Sequence, residues 1–316
     1  VDAVLGEDAA AFRRAYDVTA AGNWEGRTIL RRVGPRGDAI GEAQLAASRA
    51  ALLAARNRRP RPARDDKVLA DWNALAVAAL CRAGAVFARP DWVSLAGEVF
   101  DFVRTELAMG DGRVGHAWRL GRITAAGLLE DQAAMARAAL ALFESGGDAA
   151  RLEQAEHFVA IAQRWFAAPG GSYYTTASDA GDVPLGDEAR PRSAVDGVTP
   201  SGNAMMADVL ARLWHLTGNA SHRARASAVL HAFGGLGHKW VSAPGLLAAA
   251  DLLEEGAVVV VTGDPEATLA RELVRTALAS PDPAVCVLHA GDPAALAPGH
   301  PAHGKVTPGC ASAFIC

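Results

Sequence analysis

The chain has 316 residues, enough for one large domain or two ordinary ones. Hydrophobic residues make up 51% and charged residues 21%, a balance that supports a sizeable core and excludes a disordered chain. The formal net charge of −4 provides no basic surplus for binding nucleic acid or an anionic membrane. Four cysteines are too few for a disulfide scaffold, so a reducing compartment, the cytoplasm, is predicted.

No targeting segment is visible at the start of the chain. It opens at Val1 without Met, and no basic and then apolar run follows. The sequence contains no stretch of about 18 apolar residues, so no membrane span is predicted. Both the opening and the apolar end at Cys316 lead us to expect a piece of a longer protein.

Most of the chain has the apolar spacing of helices, which come in pairs joined by short turns. Longer Gly-rich links lead into predicted short strands at 114–119 and 172–176. The predicted helices cover 39–57, 68–88, 92–108, 128–144, 149–167, 201–216, 221–240 and 244–254.

The tail has a different pattern. Strands at 257–261 and 284–289 flank a helix at 266–279, which predicts a βαβ unit followed by a Pro/Gly-rich loop over 291–310. We therefore predict two domains, a helical region over 1–255 and a C-terminal unit over 256–316.

Polar residues open the first helix of three successive pairs, at Asn73, Asp131 and Asn203. They are 58 and 72 residues apart, which is typical of a repeated helical hairpin. The spacing predicts a mainly α fold in which α/α hairpins repeat and can close into a ring, with short β-hairpins at the cavity end. In such a ring the first helices form the inner wall, so their polar N-termini should meet at one end.

The acidic residues at these N-termini are the candidate catalytic groups. Glu130 and Asp131 diverge by about 100° on their helix, so both cannot face one pocket; one can act in catalysis while the other caps. Asp196 is the natural second carboxylate, and His116 is the acid/base candidate on the preceding strand. The alternative is that all the carboxylates are helix caps.

A second set of residues is predicted to hold the hydroxyl groups of a polyhydroxylated ligand, with an aromatic ring for stacking or for the core. The alternative for these residues is again capping and packing. The histidines and cysteines of the tail match no standard spacing of metal ligands, so no metal and no cofactor is predicted. The predicted substrate-binding residues are Asp66, Trp72, Asn73, Arg119, Arg190, Ser201 and Asn203.

Several segments, in order over residues 22–316, resemble motifs of the spermatogenesis-associated protein 20-like family of thioredoxin-domain-containing proteins. The run over 65–75 is similar to that family's DDKVLTSWNGL, 129–133 to its LDDYA, and 196–203 to its DGATPSGN. The segment over 22–30 is similar to its GNWEGKNIL, and the last residues to its AYVC. Departures are Ala74 for Gly, Gln132 for Tyr, and Ser193 where Asp is frequent.

The resemblance implies a protein about twice as long, in which a thioredoxin-like domain with a Cys-x-x-Cys motif precedes an (α/α)6 barrel. It implies a barrel like that of N-acylglucosamine 2-epimerases and six-hairpin glycosidases. This chain has no Cys-x-x-Cys motif, so we expect the thioredoxin-like domain and the first barrel helices to be absent from it. The fold class that the resemblance implies is therefore mainly α, an incomplete α/α toroid of the (α/α)6-barrel type.

Two functions remain open at this point, and a third is weaker. The first is acid/base catalysis on a sugar-like small molecule, epimerisation or hydrolysis. The second is a non-catalytic module that partners the thioredoxin-like domain. The third is a redox role for Cys310 and Cys316, which requires their thiols to lie close together.

Overall fold

The computed structural model describes residues 1–181, 190–305 and 310–316, with the backbone alone at 237–239 and 295. The chain divides into two compact units, Val1–Asp65 and Asp66–Cys316. The division into domains at 255/256 stays a prediction. Among the described residues, no helix has both the length and the apolar character needed to cross a bilayer.

The first unit contains a short helix and two longer ones. The third helix begins where the side chain of Asp38 accepts a hydrogen bond from the backbone N–H of Gly41, 2.8 Å away, which satisfies one of the free N–H groups of the first turn. Phe12 and Tyr16 stack on one face of the second helix. The helices are α1 (Asp2–Leu5), α2 (Ala9–Tyr16) and α3 (Ala39–Asn57).

The second unit is built mainly from helical hairpins. Helices α4, α6, α8 and α10 pack side by side as an inner layer, while α5, α7 and α9 pack on the outside, each against its own hairpin partner. This arrangement confirms the predicted mainly α fold of the α/α-toroid type. The helices are α4 (Ala70–Val86), α5 (Pro90–Glu106), α6 (Leu129–Gly146), α7 (Ala149–Trp165), α8 (Gly202–Thr217), α9 (Ala220–Ala232) and α10 (Pro244–Glu255).

Helix α6 lies at the centre of this unit because its sequence has almost no exposed face. Its alanines from Ala133 to Ala139 are buried, and their short side chains let neighbouring helices approach closely. The helix ends at Gly147, which has a positive φ of 71°. Asp148 then accepts a hydrogen bond from Ala150 N and starts α7. A tight turn thus joins the two helices of the hairpin.

A small antiparallel sheet lies before α4 and α6. Strands β1 (Val68–Leu69), β2 (Ala117–Arg119) and β3 (Arg122–Ala125) are ordered β1-β2-β3. The β2–β3 turn uses Leu120 and Gly121, both with positive φ. The hairpin predicted near 114–119 is therefore present, and β1 leads directly into α4.

The strand predicted over 172–176 does not form. Only an isolated bridge joins Ala167 and Tyr173, next to a 3-10 turn at Pro169–Gly171. The physical reason is that the side-chain amide of Asn203 bonds both the N–H and the carbonyl of Tyr173, where a partner strand would otherwise pair. A local sequence pattern does not reveal this partner, which lies 30 residues further along the chain.

The helix predicted over 221–240 is too long. Helix α9 ends at Ala232, and a 3-10 segment follows over Gly234–Ser242. Gly234 and Gly235 open that segment, and glycine costs an α-helix about 1 kcal/mol per residue relative to alanine. The chain therefore leaves the α conformation at this point.

The tail forms the predicted βαβ unit and adds a strand. Strands β4 (Ala257–Thr262) and β5 (Val285–Ala290) are parallel, with α11 (Thr268–Leu278) between them. Strand β6 (Ser312–Ile315), which the sequence did not predict, pairs antiparallel with the other edge of β4. The order is β5-β4-β6.

Buried charged side chains connect the βαβ unit to the inner helices. The carboxylate of Glu144 on α6 accepts a hydrogen bond from Val287 N on β5, 3.1 Å away. The guanidinium of Arg212 on α8 lies 3.8 Å from that carboxylate and donates to the carbonyl of Pro283 at 2.9 Å. Both side chains are buried, so these bonds hold β5 against α6 and α8.

Candidate functional site

Carboxylates join the N-termini of the inner helices. Asp131, in the first turn of α6, accepts a hydrogen bond from Asp71 N at the start of α4, 3.2 Å away. Its neighbour Glu130 accepts one from Gly202 N at the start of α8, 3.3 Å away. Because adjacent helical residues point about 100° apart, the two carboxylates reach opposite neighbours. Three N-termini therefore lie at one end of the inner layer, as the spacing predicted.

Asp196 extends this arrangement to a fourth helix. One of its oxygens accepts from Ser201 N at 2.8 Å and the other from Gly245 N, in the first turn of α10, at 2.7 Å. A Cβ added at Gly245 would lie 3.0 Å from the Asp196 carboxylate, so glycine suits this close approach. In the structure, Asp196 bridges two helix N-termini.

His116 is held by the most enclosed of these carboxylates. Its Nδ1 lies 3.0 and 3.2 Å from the two oxygens of Asp131, which has no exposed surface and also accepts from Leu128 N at 2.8 Å. With a proton on Nδ1 shared with the carboxylate, Nε2 is left for other partners. Within the described residues, no hydrogen bond reaches Nε2, and the His116 side chain is 28% exposed.

The pKa values of His116, Asp71 and Glu130 are raised. The hydrogen bond that His116 donates to Asp131 is the main cause that raises the pKa of His116. Burial raises the pKa of Asp71, and the nearby charge of Asp131 adds to it. Burial also raises the pKa of Glu130, whose Oε2 atom is buried without a hydrogen bond among the described residues. We call Asp71, His116, Glu130 and Asp131 the acid–histidine cluster.

Three members of the cluster could hold a metal ion. One donor atom each from Asp71, His116 and Asp131 lies within 4.8 Å of the others. Carboxylate oxygens with an imidazole nitrogen suit ions such as Mn²⁺ or Zn²⁺. Both oxygens of Asp131 already accept backbone N–H bonds, so an ion would compete with the imidazole proton for the same carboxylate. The absence of a metal stays a prediction.

The predicted ligand residues near α4 lie around this end of the helix. Asp66 and Arg119 form an ion pair, and both side chains are about half exposed. Trp72 is 58% exposed in the first turn of α4. Asn73 donates from its side chain to the carbonyl of Leu69 at 2.7 Å. The ion pair and the indole ring are therefore accessible, while one donor of Asn73 is engaged.

The predicted ligand residues near α8 are engaged with backbone. Ser201 caps α8 by accepting from Ala204 N. The buried amide of Asn203 bonds Tyr173 N at 2.8 Å and the Tyr173 carbonyl at 2.9 Å. The Arg190 guanidinium lies 4.1 Å from the centre of the Tyr174 ring and donates to backbone carbonyls. These contacts shape the connection between α7 and α8.

Asp71 belongs to the acid–histidine cluster but was not among the site residues predicted from the sequence. Its position, two residues before Asn73 at a helix start, is typical of an acidic cap, so nothing distinguished it from the neighbouring acids at Asp65 and Asp66. Only the packing of α4 against α6 places its carboxyl beside Asp131. The repeated position of acids at the starts of inner helices was the available signal.

The structure separates Cys310 from Cys316. They flank β6, whose extended backbone keeps their Cα atoms on the order of 15 Å apart or more. A disulfide requires Cα atoms about 4.4–6.8 Å apart. The Cys316 thiol instead lies 3.1 Å from the Lys305 ammonium nitrogen. The redox hypothesis therefore lacks the proximity it requires.

Fold and cluster define an α/α helical-hairpin protein with buried acids and a histidine at the N-termini of its inner helices. No family model matches the chain. It is 29% identical to spermatogenesis-associated protein 20 of Rattus norvegicus over 259 residues, 78% of this chain and 32% of that protein. Identity to the Homo sapiens protein is 30% over 193 residues, 58% of this chain and 24% of that protein. The resemblance that the motifs indicate is confirmed; the chain spans a third or less of these relatives.

Solved structures with similar features include two sugar-processing enzymes. One is cellobiose 2-epimerase from Spirochaeta thermophila, with a TM-score of 0.38, 16% identity, and coverage of 54% of this chain and 43% of that one. The other is an unsaturated glucuronyl hydrolase specific for heparin, with a TM-score of 0.40 and 21% identity. The match covers 62% of this chain and 56% of the hydrolase. Likeness at this level says nothing about the ligand or reaction of this chain.

Proposed function

We propose that the acid–histidine cluster performs acid/base catalysis on a sugar-like small molecule, with His116 as the group that transfers the proton. The observation that carries the proposal is the hydrogen bond from His116 Nδ1 to the fully buried Asp131. A carboxylate in this position orients the ring, selects the tautomer with a basic Nε2 and stabilises the imidazolium that forms. Its effect is to make Nε2 a stronger base near neutral pH.

The other two acids of the cluster supply a second proton-transfer group. Burial raises the pKa values of Asp71 and Glu130, which favours the protonated form that a general acid needs. Glu130 also has a buried oxygen without a hydrogen bond in the described part of the chain. We assign the general acid to this pair and give Asp196, whose oxygens both accept backbone N–H bonds, the role of bridging α8 and α10.

Accessible groups beside the cluster supply ligand binding. The exposed ring of Trp72 provides an apolar face on which the C–H face of a sugar ring can stack. The Asp66–Arg119 pair provides an acceptor and donors for hydroxyl groups. Asn73, Arg190, Ser201 and Asn203 then support the site mainly through the backbone they hold.

The experiment that tests this function measures proton exchange and bond cleavage on a panel of substrates. The 316-residue chain is incubated with neutral aldoses and amino sugars in D₂O, and exchange of the C–H next to the carbonyl is followed by proton NMR. Aryl glycosides test hydrolysis in parallel. We expect turnover of at least one compound and about a 10²- to 10⁴-fold loss in H116N, since general acid/base groups contribute about that much.

A matched control uses a histidine outside the cluster. His157 is an exposed imidazole that contacts the Gly112 carbonyl and the edge of the Phe158 ring, away from the cluster, so H157N should retain wild-type activity. Equal activity in H116N and wild type would refute the role of His116. Absence of turnover and of any thermal shift across the panel would refute the catalytic function.

A second candidate is a binding module for a thioredoxin-like domain. Exposed apolar side chains favour it, since Leu120 at the β2–β3 turn and Val198 before α8 are 80% and 98% exposed. Calorimetric titration of this chain with a thioredoxin-like domain from a longer relative tests it. Binding should weaken in the variant L120S/V198S. The absence of binding heat with both the wild-type chain and the variant would exclude this partner.

A further inference from the structure

A concave surface lies at the end of the inner layer opposite the acid–histidine cluster. A groove of about 460 Å³ runs between the C-terminal half of α4, the start of α5 and one face of α11. We call it the α4–α11 groove. Cys81 in its lining is ten residues beyond Asp71 on the same helix, which places it about 15 Å along the helix axis from the acid–histidine cluster. The groove is therefore separate from the site described above.

The body of the groove is apolar. Its walls include Ala85 on α4, Val93 on α5, and Val274 and Leu278 on α11. The Cys81 thiol is buried, and burial raises its pKa to about 11, so it is uncharged at neutral pH. A volume of several hundred Å³ with apolar walls and a few polar groups is typical of sites for small organic ligands.

Two arginines and one glutamate lie at the rim of the groove. Arg271 and Arg275 are four residues apart on α11, which places both guanidinium groups on one face of the helix, and both belong to the lining. Glu266 also belongs to the lining, and its carboxylate is 84% exposed to solvent and lies 3.9 Å from Arg271, at the limit of an ion pair. No ion pair to Arg275 is found within the described ranges. Glu144, which also contributes to the lining, is engaged by Val287 N.

We propose that the α4–α11 groove binds an organic anion with an apolar body and a single carboxylate or equivalent acidic group. The apolar body would lie against Ala85, Val93 and Val274, and the anionic group would pair with Arg271 and Arg275. Arginine favours carboxylate because its planar fork can donate two parallel hydrogen bonds. Charge complementarity at the rim selects an anion over a neutral or cationic ligand of the same length.

The test compares three ten-carbon probes that differ in head group. Decanoate and decyltrimethylammonium are titrated into the intact chain below their micelle concentrations and decanol below its solubility limit in water, and binding is measured by displacement of a fluorescent anilinonaphthalene sulfonate. We expect saturable binding of decanoate with a Kd below about 1 mM. Decanol should bind about tenfold more weakly and the cationic probe more weakly still. Equal affinity for the three probes, or no saturable binding of decanoate, overturns the proposal.

Variants locate the binding. R271E/R275E changes two exposed side chains, so the fold should persist, and it should weaken decanoate by at least about tenfold while leaving decanol unchanged. R56E reverses one exposed charge on α3 and should change neither the affinity for decanoate nor the affinity for decanol. V274W fills the groove and should abolish binding of both probes, with circular dichroism melts confirming that each variant is folded. Unchanged decanoate affinity in R271E/R275E refutes the site even if V274W fails to fold.

Discussion

Asp131 is the residue whose replacement most directly tests the acid–histidine cluster. The substitution D131N keeps the shape of the side chain and removes its charge. The wild-type carboxylate accepts hydrogen bonds from Leu128 N at 2.8 Å, Asp71 N at 3.2 Å and His116 Nδ1 at 3.0 Å. Asparagine has one acceptor oxygen, so its NH₂ group must face at least one of these donors.

The expected loss of stability follows from those contacts. A hydrogen bond to a charged group contributes about 1.5–3 kcal/mol, and a buried donor left without a partner costs about 1–3 kcal/mol. Because D131N loses the charge from three bonds and turns one into a donor–donor contact, we expect the free energy of unfolding to fall by about 2–4 kcal/mol. D131A removes every acceptor, and we expect a loss of about 3–5 kcal/mol.

The loss should depend on pH in a definite direction. The folded state raises the pKa of His116, chiefly through the bond to Asp131. Its stabilising contribution is therefore fully present below the unfolded pKa near 6.5 and disappears as pH rises through the folded pKa. Asp71 and Glu130, whose pKa values are also raised, reduce stability in the same direction as they ionise. D131N should thus lower the free energy of unfolding more at pH 6 than at pH 9.

Urea unfolding followed by circular dichroism at pH 6 and pH 9 measures both effects. The control is E156Q, because Glu156 also pairs with a histidine, His222, at 2.9 Å, but its carboxylate is 40% exposed. We expect E156Q to cost less than about 1 kcal/mol. A loss below that in D131N, or the same loss at both pH values, would show that the cluster is not organised around a buried charge.

Three further predictions concern other parts of the fold. R212M should lower the free energy of unfolding by about 2–4 kcal/mol in urea titrations, because it removes the bond to the Pro283 carbonyl and leaves Arg137 as the remaining cation beside the buried carboxylate of Glu144. N203A should cost about 2–4 kcal/mol in the same assay and increase amide exchange at Tyr173, whose backbone it leaves unpaired. In the native chain Ellman's reagent should modify exposed Cys310 within minutes, while Cys81, buried with a pKa of about 11, should react only after unfolding; rapid reaction of both thiols would contradict the burial.

The helical hairpins were predictable because their signals are local. Apolar spacing and turn residues such as Gly147 and Asp148 depend on nearby sequence alone, and the structure places helices close to the predicted ranges. The βαβ unit was found for the same reason, since β4 and β5 are continuous apolar runs. The predictions were wrong where a distant partner determines the local structure. Strand β6, for example, forms because it pairs with the free edge of β4.

The candidate site was only partly predictable. The repeated polar starts of the inner helices led to Glu130, Asp131 and Asp196, and His116 was predicted on the adjacent strand. Whether such an acid caps a helix or faces a histidine depends on which neighbour it meets, and that is a property of packing. Asp71 was overlooked because its partner, Asp131, lies 60 residues away in the chain.

The sequence by itself determined the period of the chain: paired helices with polar starts, whose repetition brings those starts to one end. It also determined that Glu130 and Asp131 diverge, because a helix turns about 100° per residue. Only the tertiary structure decided that Asp131 is buried against His116 and that Asp196 bridges two helix starts. The reason is that a carboxylate's burial, and with it the pKa values around it, depends on atoms from other helices that no local pattern specifies.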